Sequence, residues 1–137
     1  MLKKILSVSG RPGLYRLLSQ GKNMLIVESL IDKRRTPVYM NEKVVALGDI
    51  AMYTDDAEVP LAEVMTNIYN KYNGAVEIAV KHASNDELRD FMSGVLPNYD
   101  RDRVYMTDIK KLITWYNLLI EAGITDFKDE ENPGQGE

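Results

Sequence analysis

The spacing of apolar residues changes near residue 56 of this 137-residue chain, and this change constrains the architecture more than any single motif. Before it, short apolar runs are separated by turn-forming segments, a pattern typical of antiparallel strands. After it, apolar residues recur at i, i+3, i+4 and i+7, which indicates amphipathic helices. The sequence therefore predicts an α+β protein in which the strands precede the helices.

The part before the change predicts a small antiparallel barrel. Pro37 cannot donate a ladder hydrogen bond, so its strand is predicted to lie at an edge. Five short strands joined by tight turns are typical of barrels of the SH3 or Tudor type. We therefore expect an SH3/Tudor-like β-barrel domain over residues 1–56. Its strands are predicted at residues 14–18, 24–31, 36–40, 44–45 and 50–53.

The part after the change predicts a domain of three helices over residues 57–127. Ser84 is followed three residues later by Glu87, which is the capping-box pattern of a helix start. Thr107 is the predicted N-cap of the last helix. The helices are predicted to begin at Pro60, Ser84 and Thr107 and to end at Asn73, Leu96 and Gly123.

Two further segments have patterns of their own. Residues 76–82 alternate apolar and polar side chains, which predicts a strand or an extended connector between the first two helices. His82, the only histidine, occupies a position in this segment where the alternation predicts an inward-facing side chain. We interpret it as a satisfied or half-buried structural histidine rather than a catalytic base. Residues 128–137 are polar and acidic and contain proline and glycine, so we expect a disordered acidic tail.

The net charge of −4 conceals a strong asymmetry along the chain. Residues 1–53 carry nine Lys or Arg against four Asp or Glu, a net charge of +5. Residues 54–137 carry eight Lys or Arg against seventeen Asp or Glu, a net charge of −9. Either the front part binds an anionic partner, or the two parts attract each other within one molecule or between molecules.

The composition also excludes several classes of site. The chain has no cysteine, which excludes a disulfide framework, a zinc–thiolate centre and a thiol nucleophile. Ser7 and Ser9 interrupt the N-terminal apolar stretch, which therefore lacks the continuous apolar region of a signal peptide. No stretch approaches the ~20 apolar residues of a membrane span. We expect a cytoplasmic protein with no cofactor, no metal and no membrane partner.

Lys33, Arg34 and Arg35 form the main basic cluster of the front part and are candidate binding residues. On a small barrel such a turn can contact a phosphate backbone. Barrels that bind nucleic acid usually add stacking aromatic side chains, and here only three tyrosines are available, Tyr15, Tyr39 and Tyr53. A solvated basic surface remains the alternative.

A second candidate lies between the last two predicted helices. Oxygen-bearing side chains at positions 98, 100 and 102 suggest a calcium loop, but arginine and isoleucine occupy the positions that require glycine and glutamate. The alternating Asp and Arg residues are better interpreted as pairs with each other and with helix ends. Alternatively, Arg101 and Arg103 present their guanidinium groups to a carboxylate or phosphate.

Acidic side chains precede the first predicted helix, at Asp55, Asp56 and Glu58. Carboxylates at a helix N-terminus interact favourably with the helix dipole. Paired carboxylates can also bind metal or act as acid and base. A small carboxylate-based enzyme would need Asp55 or Asp56 to converge with Asp100 or Asp102 in one pocket.

Several segments resemble an uncharacterised bacterial family that is classed only as a domain of unknown function. They are residues 10–15, 83–89 and 96–105, together with 108–111 and the pair Trp115–Tyr116. The resemblance covers nearly the whole chain, with a barrel-like N-terminal part and a helical C-terminal part. It implies a cytosolic bacterial protein and carries over no catalytic residue, cofactor or partner.

We therefore expect a non-catalytic module that binds another macromolecule, either protein or nucleic acid. One alternative is a nucleic-acid-binding protein that uses the basic barrel face. A second alternative is the carboxylate-based enzyme. A homo-oligomer in which the basic front part docks on the acidic back part is also compatible with the charge asymmetry.

Overall fold

A computed structural model describes residues 2–11 and 13–127 of the chain. The model confirms the α+β class. Five antiparallel strands form the main sheet, in the order β4–β3–β2–β1–β5. They are β1 (Ile5–Val8), β2 (Tyr15–Gly21), β3 (Met24–Ser29), β4 (Arg35–Tyr39) and β5 (Val44–Ala46). A two-stranded sheet and three helices follow, namely β6 (Ala51–Tyr53), β7 (Glu58–Pro60), α1 (Leu61–Tyr72), α2 (Asn85–Val95) and α3 (Met106–Glu121).

The prediction of a closed SH3- or Tudor-like barrel is not confirmed. Among residues 2–11 and 13–127, no strand pairing joins β4 to β5, so the main sheet is open. The sequence pattern missed β1, whose serine-interrupted residues occupy the place between β2 and β5. The pattern also assigned residues 50–53 to the barrel, whereas β6 pairs with β7 in a sheet of its own.

Strand β4 lies at an edge of the sheet, as Pro37 predicts. Its exposed side is closed by side chains from neighbouring turns. The Glu42 carboxylate accepts a hydrogen bond from the Tyr39 N–H at 2.9 Å. Arg11 donates to the Pro37 carbonyl at 3.4 Å and also binds Glu42 at 2.9 Å. Since Pro37 has no N–H, this edge offers few free groups to another strand.

The helix starts agree with the sequence in one case and differ in another. Ser84 caps α2, because its hydroxyl oxygen accepts a hydrogen bond from the Glu87 N–H at 3.1 Å. Thr107 does not cap α3. That helix begins at Met106, and the Asp108 carboxylate accepts a hydrogen bond from the Tyr105 N–H at 2.9 Å. None of the helices formed by the described residues has the length and apolar character needed to cross a membrane.

The sheet and the helices share one apolar core. The sheet side of this core contains Leu2, Ile5, Leu14, Leu30 and Leu47, and its helix side includes Leu61, Met65, Ile68, Leu88, Met92, Ile109, Leu112 and Tyr116. A smaller cluster lies on the opposite face of the sheet and contains Leu6, Val8, Tyr15, Val27 and Val38. The predicted domains 1–56 and 57–127 are therefore packed against each other through the larger cluster. The predicted tail, 128–137, lies outside the described residues.

Residues 76–82 form a connector rather than a strand, with a turn at residues 80–82, and α3 holds the connector in place. The Asn117 side chain accepts a hydrogen bond from the Val76 N–H at 2.8 Å and donates one to the Val76 carbonyl at 2.9 Å. The Tyr116 hydroxyl donates to the Gly74 carbonyl at 2.6 Å. At the far end of the connector His82 is exposed, so its interpretation as a half-buried side chain is wrong.

Changing Tyr116 to phenylalanine should make the free energy of unfolding fall less steeply as the pH rises through the alkaline range. Burial, and secondarily the neighbouring Tyr69, raise the pKa of Tyr116 from 10.0 to about 12. Between these two pKa values the folded state keeps a proton that the unfolded chain loses. The stabilisation that comes from protonated Tyr116 is therefore complete below pH 10 and is lost towards pH 12.

Urea unfolding of both proteins across this pH range would measure the difference. At neutral pH the variant should lose about 1 kcal/mol with the hydrogen bond to Gly74. If the free energy of unfolding of the wild type and of the variant depended on pH in the same way, the raised pKa of Tyr116 would be contradicted.

Candidate binding surfaces

The predicted binding residues lie on two separate surfaces. Lys33, Arg34 and Arg35 lie at the turn between β3 and β4, and Arg101 and Arg103 lie in the loop between α2 and α3. Different neighbours surround the two surfaces.

The basic turn has a backbone shape fixed by its own hydrogen bonds. The Asp32 carboxylate accepts from the Arg34 N–H at 3.0 Å, and Lys33 adopts a left-handed φ of 64°. The side chains of Arg34 and Arg35 are 86% and 73% exposed, and their ion pairs with Asp32 and Glu28 are as long as 4.0 Å. Such exposed pairs stabilise the fold little, so the charges remain accessible to a partner.

A partly exposed apolar surface adjoins this turn. Directly paired residues of neighbouring strands point to the same face of a sheet, and the register pairs Tyr39 with Met24, Pro37 with Ile26 and Arg35 with Glu28. We call these six residues the outer face. Met24, Ile26 and Tyr39 belong to neither apolar cluster, and Tyr39 is 53% exposed. Met40, which follows β4, is 65% exposed.

The tyrosines that the sequence offered for base stacking are not gathered on this surface. Tyr15 is buried in the smaller apolar cluster. Tyr53 lies in β6, where the Arg103 guanidinium sits 5.0 Å from its ring centroid. Of the three, Tyr39 alone lies on the outer face.

Tyr99 fixes the loop between α2 and α3. Its side chain is 1% exposed, and the Asp100 N–H beside it donates to the Tyr53 carbonyl at 2.9 Å. Arg101 contacts this loop and the end of α2. Its guanidinium lies 4.5 Å from the Tyr99 ring centroid and donates to the Tyr99 carbonyl and the Ser93 hydroxyl.

Arg103, by contrast, lies at the wall of a cavity of about 290 Å³ between β6, this loop and α3. Its Nε lies 3.3 Å from a carboxylate oxygen of Asp100. The cavity is lined mainly by apolar side chains, with Asp108 and Lys111 near them on α3. The other lining residues are Ile50, Ala51, Met52, Tyr53, Leu61, Val104, Leu112 and Trp115. Trp115 is partly buried against the larger apolar cluster and also lines this cavity.

The acidic residues before α1 do not cap that helix. Asp55, Asp56 and Glu58 line a depression with Arg103. Asp55 and Asp56 precede β7, Glu58 is its first residue, and Pro60 is the N-cap of α1. Asp100 is engaged with Arg103 and with the Asp102 N–H at 2.9 Å. Within the described ranges, no three His, Cys, Asp or Glu side chains are grouped so that they could hold a metal ion.

Comparison with known proteins gives two family matches and one close structural match. Residues 2–47 match a family described as Domain of unknown function (DUF5606), and residues 50–119 match Domain of unknown function (DUF6852). A Bacteroides vulgatus protein, solved by solution NMR as a structural genomics target, is 58% identical and superimposes with a TM-score of 0.77. That match covers 93% of this chain and 91% of the other. No curated protein matches the sequence.

Proposed function

The chain belongs to the family described as Domain of unknown function (DUF6852), which assigns no activity, and we propose that it is a non-catalytic module that binds another protein through the outer face. The observation that carries the proposal is the juxtaposition of exposed Tyr39 and of the half-buried apolar residues Met24, Ile26 and Pro37 with exposed Arg35 on one face of β3 and β4.

The composition of this surface favours a protein partner. Tyr, Met and Arg are enriched in protein interfaces, and the outer face offers Tyr39, Met24 and Arg35, with the exposed residues Arg34 and Met40 at the two ends of β4. Single-stranded nucleic acid is usually held by several stacked aromatic rings, and the outer face offers only Tyr39. The partner segment should therefore carry apolar side chains beside carboxylates, to match the apolar pairs and the basic turn.

The mode of contact follows from the edge of β4. Arg11 and Glu42 occupy the exposed backbone groups of Pro37 and Tyr39, so a partner cannot readily add a strand there. It would instead contact side chains on the outer face, where the apolar pairs supply contact area and Arg34 and Arg35 supply charge-assisted hydrogen bonds.

Selection of short displayed peptides on the immobilised protein would test the proposal. We expect enriched peptides to combine Asp or Glu with aromatic or aliphatic residues, and to shift the NMR amide signals of 24–28 and 35–39. Binding should weaken at least about tenfold when Lys33, Arg34 and Arg35 are changed to Glu. The matched control Lys81→Glu, an exposed cation on the connector, should leave binding unchanged.

Two results would contradict the proposal. In the first, the enriched peptides shift signals outside the outer face, or the charge-reversed variant selects the same peptides. In the second, labelled DNA or RNA binds the wild-type protein, weakens steeply with salt and is lost in the charge-reversed variant. That second result would assign the basic turn to nucleic acid.

A further inference from the structure

We infer that the cavity between β6, the α2–α3 loop and α3 is a binding site for a small aromatic monocarboxylate. This inference is independent of the proposed function, because the cavity and the outer face share no lining residue. Its volume is about 290 Å³. An apolar cavity of about 150 Å³ is enough to bind benzene, so this one has room for a phenyl ring and a short acidic side chain.

The walls favour a planar apolar body. Tyr53 and Trp115 contribute aromatic rings, and Ile50, Met52 and Leu112 contribute aliphatic surface. Ligand sites are typically apolar with a few placed polar groups that fix orientation. In this cavity those polar groups are Arg103, Asp108 and Lys111.

The charges at the cavity favour one negative charge on the ligand. Arg103 is paired with Asp100 at 3.3 Å, and the Asp108 carboxylate accepts the Tyr105 N–H at 2.9 Å. Lys111 is exposed, and no carboxylate of residues 2–11 or 13–127 forms an ion pair with it. Lys111 can therefore pair with one ligand carboxylate, whereas the charge of Asp108 in the same cavity disfavours a doubly charged phosphate.

The cavity is also held in its shape before any ligand arrives. Buried Tyr99 anchors the loop, and the Asp55 N–H donates to the Asn98 carbonyl at 3.0 Å, which ties the loop to the β6–β7 hairpin. The stacking of Arg101 on Tyr99 fixes the same loop from outside. A cavity shaped in advance loses less conformational entropy on binding.

The fluorescence of Trp115 can report ligand binding, because Trp115 is the only tryptophan and it lines the cavity. Its fluorescence should change saturably with millimolar or lower phenylacetate. The neutral analogue phenethyl alcohol should bind about tenfold more weakly, since it lacks the carboxylate that pairs with Lys111. The carboxylate could belong to a free aromatic acid or to the C-terminus of a peptide. Fluorescence titration with a peptide that ends in phenylalanine, with a free or an amidated C-terminus, distinguishes these two ligands.

Variants separate the site from non-specific binding. Lys111→Met should reduce the affinity for phenylacetate to that for the alcohol, and Lys110→Met, on the same helix but outside the cavity, should leave it unchanged. Ala51→Leu should fill the cavity and remove the response to both probes, while circular dichroism shows that the variant is folded. The inference is overturned if phenylacetate leaves the fluorescence unchanged. It is also overturned if the alcohol binds as well as the acid, or if Lys110→Met weakens binding as much as Lys111→Met.

Discussion

Replacing Asn117 with alanine should lower the free energy of unfolding by about 2–5 kcal/mol, because two buried backbone groups lose their partners at once. The Asn117 side chain satisfies both the N–H and the carbonyl of Val76, at 2.8 and 2.9 Å. Val76 is 3% exposed, so water cannot easily replace either bond. The connector would then lose its main attachment to α3.

Urea unfolding followed by circular dichroism measures this effect. Thr114→Ala is the matched control, because Thr114 lies on the same helix, is exposed, and bonds only the Lys110 carbonyl of its own helix. Asn117→Asp should also destabilise the protein, since the second oxygen cannot donate to the Val76 carbonyl. If Asn117→Ala costs no more than Thr114→Ala, the attachment of the connector does not depend on this pair.

Replacing Gly48 with alanine should lower the free energy of unfolding by about 1–3 kcal/mol through overpacking. A Cβ at this position would lie 2.9 Å from the backbone nitrogen of Lys3 and 3.0 Å from its Cα. These are backbone atoms of the short 3₁₀ helix Leu2–Lys4, which packs against the 3₁₀ helix Leu47–Asp49. Relief therefore requires the start of β1 to move away from the shared core.

Gly94 provides a control, because the same change to alanine should raise the free energy of unfolding there instead of lowering it. It lies in α2, and a Cβ there would meet the flexible end of the Lys71 side chain, which can turn aside. Gly94→Ala should therefore raise stability by about 0.5–1 kcal/mol through helix propensity. Thermal and urea unfolding of both variants would measure these changes in stability. Equal stability of Gly48→Ala and wild type would contradict the prediction and show that the two 3₁₀ helices can separate without cost.

The sequence predicted the elements that depend on local chemistry. Apolar spacing located the three helices, Pro37 marked an edge strand, and Ser84 identified the start of α2. It missed the features that depend on distant partners. The serines of β1 concealed a strand whose identity comes from pairing with β2 and β5, and β6 was assigned to the wrong sheet because its partner, β7, lies beyond an acidic turn.

The candidate sites divide in the same way. Exposure of Lys33, Arg34 and Arg35 follows from a charged turn and could be predicted from the sequence. Arg101 and Arg103 are two residues apart in sequence, yet one stacks on Tyr99 and the other borders the cavity. Only the path of the loop distinguishes these roles, and that path depends on hydrogen bonds to residues 53 and 55.

The closure of β4 by Arg11 and Glu42 also affects how chains behave at high concentration. An edge with free backbone groups lets one molecule extend the sheet of the next, which is how ordered fibrils begin to grow. With Pro37 lacking its N–H and the Tyr39 N–H occupied, this strand offers few backbone groups from which such growth could start. The partly exposed outer face can therefore be presented to a partner while the neighbouring edge strand β4 offers few backbone groups to a second copy of the chain.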